Sequence, residues 1–224
     1  MTKSIKSAIV IGATGLVGRE LLKELNQIES CEKITAVVRQ EDSRLKSLKK
    51  VQQFILEDFL LLNDQDVNGY SHAFSCLGTT QKKAGSKQNF YNIDYEINAH
   101  FADLLESTST HYLLVSAMGA NARSKIFYNK VKGELEQHIQ SLNLEYTSIL
   151  RPSLLIGERQ EQRTLEDLTQ KLYQKISHLV PDTFKYKPVT ASQVAHTMVE
   201  AAQTQTEKFE IYDNLRIHNS KRGQ

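Results

Sequence analysis

The fold is decided near the amino end, by the stretch Ile5-Lys6-Ser7-Ala8-Ile9-Val10-Ile11-Gly12-Ala13-Thr14-Gly15-Leu16-Val17-Gly18-Arg19-Glu20. Ala8 to Ile11 form a short apolar run, which is typical of a strand that is buried on both faces. Apolar residues then recur at helical spacing, which predicts a helix directly after the turn. They are Val17, Leu21, Leu25 and Ile28. The chain therefore passes from a buried strand through a glycine turn straight into a helix.

The turn has the form Gly12-x-x-Gly15-x-x-Gly18. Glycines let a backbone turn tightly and approach a ligand closely, and the first N–H groups of the following helix have no intrahelical partner. Those donors and the helix dipole favour an anion, so we expect the pyrophosphate of a dinucleotide here. The residues expected to contact it are Gly12, Thr14, Gly15, Leu16 and Val17. The spacing departs from G-x-G-x-x-G, so an ordinary glycine-rich turn is the alternative.

Strand and helix patterns alternate further along the chain. The predicted strands are Ile34 to Val38, Val51 to Leu56, His72 to Leu77, Tyr112 to Ser116 and Leu144 to Leu150. A loop is expected from Gln81 to Gln88, a long helix around Ile93 to Leu105, and another around Phe127 to Leu142. Such alternation predicts a doubly wound parallel sheet, the Rossmann fold, which binds ligands at the carboxyl ends of its strands.

The pattern changes after Arg151-Pro152. Helices are expected at Thr164 to Leu179 and at Ala191 to Ala202, and a short strand at Phe209 to Tyr212. This part is too small to form a second domain. We therefore expect one α/β domain over residues 1–224, in which residues 152–224 form a small cap on the substrate side.

Composition excludes several classes of function. The 224 residues carry a formal charge of only +2, which argues against partners such as nucleic acid or an anionic membrane. The two cysteines and seven histidines show no metal-ligand spacing, so no metal is expected. We see neither a signal peptide nor an apolar run of the roughly 18 residues that a membrane span needs. The sequence therefore predicts a cytoplasmic protein with reduced thiols.

Arg39 follows the second strand, about twenty residues after the glycine turn, where a Rossmann site contacts the adenosine ribose. An arginine suits the 2′-phosphate of NADP, whereas an acidic side chain would accept the 2′-hydroxyl of NAD. We therefore expect NADP. Glu41 and Asp42 follow closely and keep NAD as the less favoured cofactor. A solvated surface arginine is the other interpretation.

The third strand is followed by Glu57-Asp58-Phe59, a corner that lies near the adenine in this topology. Asp58 could accept from the exocyclic amine while Phe59 packs on the ring. An acidic helix cap is the alternative for Asp58.

Catalytic chemistry is indicated by Tyr128-Asn129-Lys130-Val131-Lys132. Tyr128 and Lys132 are four residues apart on a predicted helix and so face the same way. A nearby ammonium favours the phenolate, which should lower the tyrosine pKa from about 10 towards the working range. Ser116 ends the fifth strand and could bind a substrate carbonyl oxygen. A surface Tyr–Lys pair is the alternative.

A family resemblance follows from these residues. The glycine turn, Ser116 and Tyr128-x-x-x-Lys132 resemble the short-chain dehydrogenase/reductases, in their extended or atypical branch. A closer resemblance is to the Tat-interacting-protein-like oxidoreductases. It rests on Cys76-Leu-Gly-Thr-Thr80, Lys83-Ala-Gly85, Tyr128-Asn-Lys-Val-Lys-Gly-Glu134, Arg151-Pro-Ser-Leu-Leu-Ile-Gly157 and Arg159-Gln-Glu161.

The resemblance implies roles for these residues. Tyr128 would be the general acid–base, Lys132 would bind the nicotinamide ribose, and Ser116 would orient the carbonyl. Further cofactor contacts are implied for Cys76, Leu77, Gly78 and Thr79 and for the Pro152 to Leu155 backbone. We expect an NADP-dependent oxidoreductase with a small-molecule carbonyl or alcohol substrate. The alternative is an NADP(H)-binding redox sensor without turnover, which would act on a protein partner.

Overall fold

The computed structural model describes residues 4–156 and 186–220. Its strands are β1 (Ser7–Ile11), β2 (Lys33–Val38), β3 (Val51–Ile55), β4 (His72–Ser75), β5 (His111–Val115), β6 (Tyr146–Leu150), β7 (Leu155–Ile156), β8 (Val189–Thr190) and β9 (Phe209–Tyr212). Its α-helices are α1 (Leu16–Gln27), α2 (Asp64–Val67), α3 (Gln81–Ala84), α4 (Lys87–Tyr91), α5 (Ile97–Asp103), α6 (Phe127–Ser141), α7 (Ala191–Thr204) and α8 (Asn214–Asn219). Short 3₁₀ turns lie at Ser43–Leu45 and Phe59–Leu61, and a π turn at Asn92–Glu96.

A seven-stranded sheet has the order β3-β2-β1-β4-β5-β6-β9, and all its pairs are parallel. The predicted Rossmann fold is therefore confirmed. The central strand β1 lies between β2 and β4, with Ile9 opposite Thr35 on one side and Ala73 on the other. The strand order reverses between β1 and β4, which is the switch point where such sheets bind ligands.

Two helical layers cover the sheet. Successive side chains of a strand point to opposite faces, and β1 divides accordingly. Ala8 and Val10 pack in the core beneath α1 and α7. Ile9 and Ile11 pack in the core beneath α5 and α6. A strand buried on both sides explains the unbroken apolar run in the sequence.

The described part of the predicted cap belongs to the core of the domain. Strand β9 pairs with β6 as the last strand of the sheet, and α7 packs along α1. Both of these elements were expected from the sequence. The helix expected at Thr164 to Leu179 lies outside the described residues, and the substrate-side role of residues 152–224 stays a prediction.

Residues Gln81 to Gln88 are not the loop that we expected. The hydroxyl of Thr80 accepts from Lys83 N–H and begins α3, and the hydroxyl of Ser86 accepts from Asn89 N–H and begins α4. Gly85 ends α3 with φ of +76°. Each of these hydroxyls caps the N–H group three residues further on. The two caps thus allow short helices to form although the segment has no apolar stripe.

Gly133 brings α6 against the loop after β5. A Cβ atom at this position would lie 2.2 Å from Ala122 N and from Asn121 C. Both contacts are with backbone, which has little room to shift. Gly133 therefore allows α6 to lie close to this loop. The preceding residue, Lys132, is on the buried face of the helix.

We expect Gly133→Ala to lower the free energy of unfolding by about 3 kcal/mol, because the added methyl overpacks the backbone. Gly69→Ala is the control: its φ is +81°, but nothing lies within 4 Å of the new atom. There we expect about 1–2 kcal/mol from the left-handed backbone alone. Urea unfolding of both variants measures the difference. Equal losses would contradict the close packing of α6.

Candidate functional site

The glycine turn rests against the end of β4. Gly12 has φ of +71°, and a Cβ atom there would lie 2.4 Å from Cys76 C and from Leu77 N. Cys76 N–H donates to Ile11 O at 3.0 Å. At Gly18 a Cβ atom would lie 2.3 Å from Gly12 O. Two of the three glycines are therefore required by close backbone contacts within the turn and between the turn and β4.

Helix α1 begins with free donors. Its N-cap Gly15 makes no side-chain cap bond, and no acidic residue lies in its first turn. Gly15 is exposed, and a Cβ atom there would meet only Gly12 O at 3.1 Å and Cys76 O at 4.0 Å. An exposed, uncapped helix start with a bare backbone fits the diphosphate of a dinucleotide.

A cavity of about 680 Å³ continues from this turn. It is lined by Thr14, Arg39, Gln40, Glu41, Asp42, Ser43, Arg44 and Glu57. Thr14 and Arg39, both predicted to contact the cofactor, thus share one cavity. Its position at the ends of β1 and β2 is where the adenosine half of a dinucleotide binds in this fold.

The charged residues of the cavity differ in whether they have a partner. Asp42 accepts hydrogen bonds from Arg44 Nε at 2.9 Å and from Arg44 Nη2 at 2.5 Å, and these bonds lower the pKa of Asp42. Glu41 pairs with Lys46 at 3.0 Å. Arg39 is exposed and makes no ion pair within the part of the chain that the structure describes. Arg39 can therefore contact a ligand, whereas Glu41 and Asp42, the carboxylates that would favour NAD, already form ion pairs.

Asp58 caps the short turn at Phe59–Leu61, since its carboxylate accepts from Leu60 N–H at 3.0 Å. The capping alternative is therefore confirmed. Phe59 is only 6% exposed and packs in the core beneath α5 and α6. Their contacts with adenine stay predictions, and little of the Phe59 ring is open to a ligand.

Helix α6 carries the predicted pair towards the carboxyl ends of the strands. Lys132 is buried and forms an ion pair with Asp94, with 2.7 Å between Nζ and Oδ1. Tyr128 lies one turn earlier, and its ring packs beside Phe90 with 5.6 Å between centroids. A Cβ atom at Gly78 would lie 3.5 Å from Lys132 Nζ. The end of β4 thus contacts the glycine turn on one side and approaches Lys132 on the other.

The expected lowering of the Tyr128 pKa is wrong. Burial raises the pKa of Tyr128, and the positive charge of Lys132 lowers it by less. The physical reason is desolvation, which disfavours the phenolate, and the negative charge of Asp94 raises the pKa of Tyr128 further. Tyr128 is therefore held as a neutral phenol at neutral pH, which suits a proton donor more than a resting base.

Ser116 has a partner within the protein. Its hydroxyl donates to Glu136 Oε1 at 2.5 Å, and Arg151 Nε donates to both oxygens of Glu136 at 3.1 Å. Hydrogen bonding to Glu136 raises the pKa of Arg151. Ser116 is 5% exposed, and its role towards a substrate carbonyl stays a prediction.

The remaining predicted contacts lie after β4 and β6, the two strands on either side of β5. Thr79 N–H donates to Asp94 Oδ2 at 2.8 Å, and burial raises the pKa of the Cys76 thiol. Beyond β6, Pro152 O accepts from Met118 N–H at 2.8 Å. Leu155 is half-buried in the short strand β7. All of these residues follow parallel strands at the edge where the cofactor is expected.

Two acidic residues of the site were not predicted from the sequence. Asp94 lies in the π turn and Glu136 one turn after Lys132 on α6. The spacing of Tyr128, Lys132 and Glu136 at every fourth residue could have indicated that Glu136 shares their face. For Asp94 the sequence carries no such signal, because its partners come from distant segments.

A family model described as NAD(P)H-binding matches residues 12–205. The chain therefore belongs to this NAD(P)H-binding family. The expected resemblance to the atypical short-chain dehydrogenase/reductases is confirmed by this match and by the fold.

Curated relatives cover nearly the whole chain. The protein "FMP52-1, mitochondrial" of Scheffersomyces stipitis is 37% identical over 207 residues, which are 90% of each chain. "FMP52, mitochondrial" of Candida albicans is 36% identical over 207 residues, 88% of each chain. The names of these relatives contradict the cytoplasmic location that we expected from the sequence, so that prediction is wrong.

A solved structure supports the fold. The enzyme WbmF of Bordetella bronchiseptica in complex with NAD⁺ has a TM-score of 0.64 and 14% identity, over 93% of this chain and 72% of that one. At this identity the similarity concerns the fold alone.

Within the described ranges, no helix has the length and apolar character needed to cross a bilayer.

We expect Glu136→Gln to lower the free energy of unfolding by about 2 kcal/mol, because the buried carboxylate that Arg151 and Ser116 contact loses its charge. The control is Glu210→Gln, which breaks a pair with the half-exposed Arg216. There we expect less than about 1 kcal/mol. Urea unfolding measures both variants. A larger loss of unfolding free energy in Glu210→Gln than in Glu136→Gln would contradict the contribution to stability that we assign to Glu136.

Proposed function

We propose that the protein is an NADP(H)-dependent oxidoreductase that interconverts a carbonyl and an alcohol. One observation carries this proposal: the end of β4 joins the two halves of the site. Its Cys76 backbone packs on Gly12 of the phosphate turn, and its Gly78 lies beside Lys132. A dinucleotide with its diphosphate at the turn would therefore extend towards Tyr128 and Lys132.

The chain's own residues fit a division of tasks in reduction. Hydride transfer to the carbonyl carbon is the chemistry that a bound nicotinamide supplies. Tyr128, a half-buried phenol with a raised pKa, donates its proton to the carbonyl oxygen as negative charge develops there. Lys132 holds the ribose and stabilises the phenolate that remains. In oxidation the same proton returns to Tyr128.

NADP preference rests on Arg39. This guanidinium lies in the cavity beside Thr14 and is not paired with another described residue, whereas Glu41 and Asp42 are paired. A 2′-phosphate would gain a charge-assisted hydrogen bond there. The names of the curated relatives support a mitochondrial setting for this activity.

We expect Arg39→Ala to weaken NADPH binding by roughly 10- to 100-fold, because a hydrogen bond to a charged group is lost. NADH affinity should stay within about twofold, since NADH has no 2′-phosphate. Calorimetric titration of both cofactors decides this. Lys49→Ala removes an exposed cation that does not line the cavity and should keep the parental preference. Equal NADPH and NADH affinities in the parent would contradict the NADP assignment.

A sensor without turnover is the second candidate. The observation that favours it is the hydrogen bond from Ser116 to Glu136, which occupies the hydroxyl proton that Ser116 would otherwise offer to a substrate carbonyl. Such a protein would need the phosphate turn and Arg39 and would make no use of a proton on Tyr128. The two candidates therefore differ in what they require of this phenol.

Tyr128→Phe removes one oxygen and keeps the ring beside Phe90. In the enzyme we expect turnover to fall by at least ~10²-fold, the effect of losing an acid–base group, while NADPH affinity is retained. A screen of carbonyl and alcohol substrates followed by NADPH absorbance supplies the assay. The matched control is Tyr146→Phe. Tyr146 begins β6 and therefore lies at the amino ends of the strands, away from the site. Parental turnover in Tyr128→Phe would contradict the catalytic role. A broad screen without any conversion would favour the sensor.

A further inference from the structure

Asp94 connects three parts of the site. Its Oδ1 lies 2.7 Å from Lys132 Nζ, and its Oδ2 accepts from Thr79 N–H at 2.8 Å. The side chains of Asp94 and Lys132 are 1% and 4% exposed. A Cβ atom at Gly78 would lie 3.2 Å from Asp94 Oδ1. One buried carboxylate thus binds the lysine of α6 and the backbone after β4 together.

The position of this carboxylate is itself braced. Asp94 lies in the π turn Asn92–Glu96, where the helical hydrogen bonds are shifted by one residue. Asn98 Nδ2 donates to Ile93 O at 3.0 Å and lies 3.4 Å from Leu77 O and from Asp94 O. Ser75, the last residue of β4, donates its hydroxyl to Asn98 Oδ1. The π turn is therefore tied to the same strand end that Asp94 contacts.

We propose that Asp94 is a positioning residue that keeps Lys132 charged and fixed against the end of β4, where it can bind the cofactor ribose. This inference rests on the proposed function. It adds a residue that neither the family motif nor the sequence assigns. Asp94 acts through Lys132, since one of its carboxylate oxygens forms the ion pair with that ammonium and the other accepts from Thr79 N–H.

Lys132 needs a counter-charge because burial opposes its ammonium form. The pKa of Lys132 is nevertheless raised, chiefly through the negative charge of Asp94 and further by Tyr128 and Glu136. Glu136, on the same helix, is itself engaged by Arg151 and Ser116. Asp94 is therefore the counter-charge whose removal should change the protonation of Lys132 most.

The test begins with Asp94→Asn and needs no cofactor. In the parent, the raised pKa of Lys132 keeps it charged in both folded and unfolded chains between about pH 6 and pH 9, so it adds no slope to stability. In the variant, burial lowers the folded pKa of Lys132 below the unfolded value. The unfolded chain then binds more protons, so stability relative to the parent should rise with pH across this window.

The same ionisation should appear in cofactor binding. We expect the NADPH dissociation constant of Asp94→Asn, divided by that of the parent, to rise at least ~tenfold from pH 6 to pH 9, as Lys132 loses its proton. Urea unfolding and calorimetry over this range measure the two effects. In the double variant Asp94→Asn/Lys132→Met both pH dependences should disappear. Glu134→Gln, which removes a carboxylate paired with Lys130 on the outer side of α6, should follow the parent.

Several outcomes would overturn the inference. They are parental pH profiles in Asp94→Asn, or a new ionisation that persists in the double variant. If Asp94→Asn does not fold, a folded double variant supports the role of the pair, and an unfolded one shows that Asp94 is only structural. If the parent binds neither NADPH nor NADH, the proposed function fails, while the unfolding data still decide the effect of Asp94 on Lys132.

Discussion

The site depends on one close backbone contact, between the glycine turn after β1 and the end of β4. Gly12 lies so near the Cys76 carbonyl that no side chain fits between them. These strands are neighbours in the sheet although far apart in sequence, because the strand order reverses at β1. The contact fixes the glycine turn against the end of β4. It also fixes the position from which the chain continues to Gly78, Thr79 and the buried ion pair.

The buried face of α6 shows how charge is kept inside this site. Lys132 is neutralised by Asp94, and Glu136 by Arg151. Isolated charges at these depths would cost several kcal/mol each, and pairing offsets much of that cost when the geometry is good. The pairs also join separate elements, since Asp94 comes from the π turn and Arg151 from the end of β6. Charge pairing thus fixes α6 relative to the strand ends, and with it the phenol of Tyr128.

The fold could be predicted because its signals are local. The apolar run at Ala8 to Ile11 and the alternation of strands and helices decide the topology without any knowledge of contacts. The Tyr128 and Lys132 pair also follows from helical spacing. Asp94 could not be predicted, since its significance arises from Thr79 and Lys132, which lie 15 and 38 residues away. The pKa of Tyr128 was predicted in the wrong direction because helical spacing shows the nearby Lys132 but not the burial that disfavours the phenolate.

The packing of α7 on α1 has a consequence for how the chain acquires its structure. Helix α1 forms among the first thirty residues, yet its apolar face is covered by a helix that begins at Ala191. Strand β9, which completes the sheet, comes later still. A growing chain would therefore expose the face of α1 until residues 191–204 have been synthesised, and such exposed surface attracts chaperones or other chains. Loss of α7 should therefore leave the apolar face of α1 uncovered and turn a stable domain into one that aggregates before it can bind any ligand.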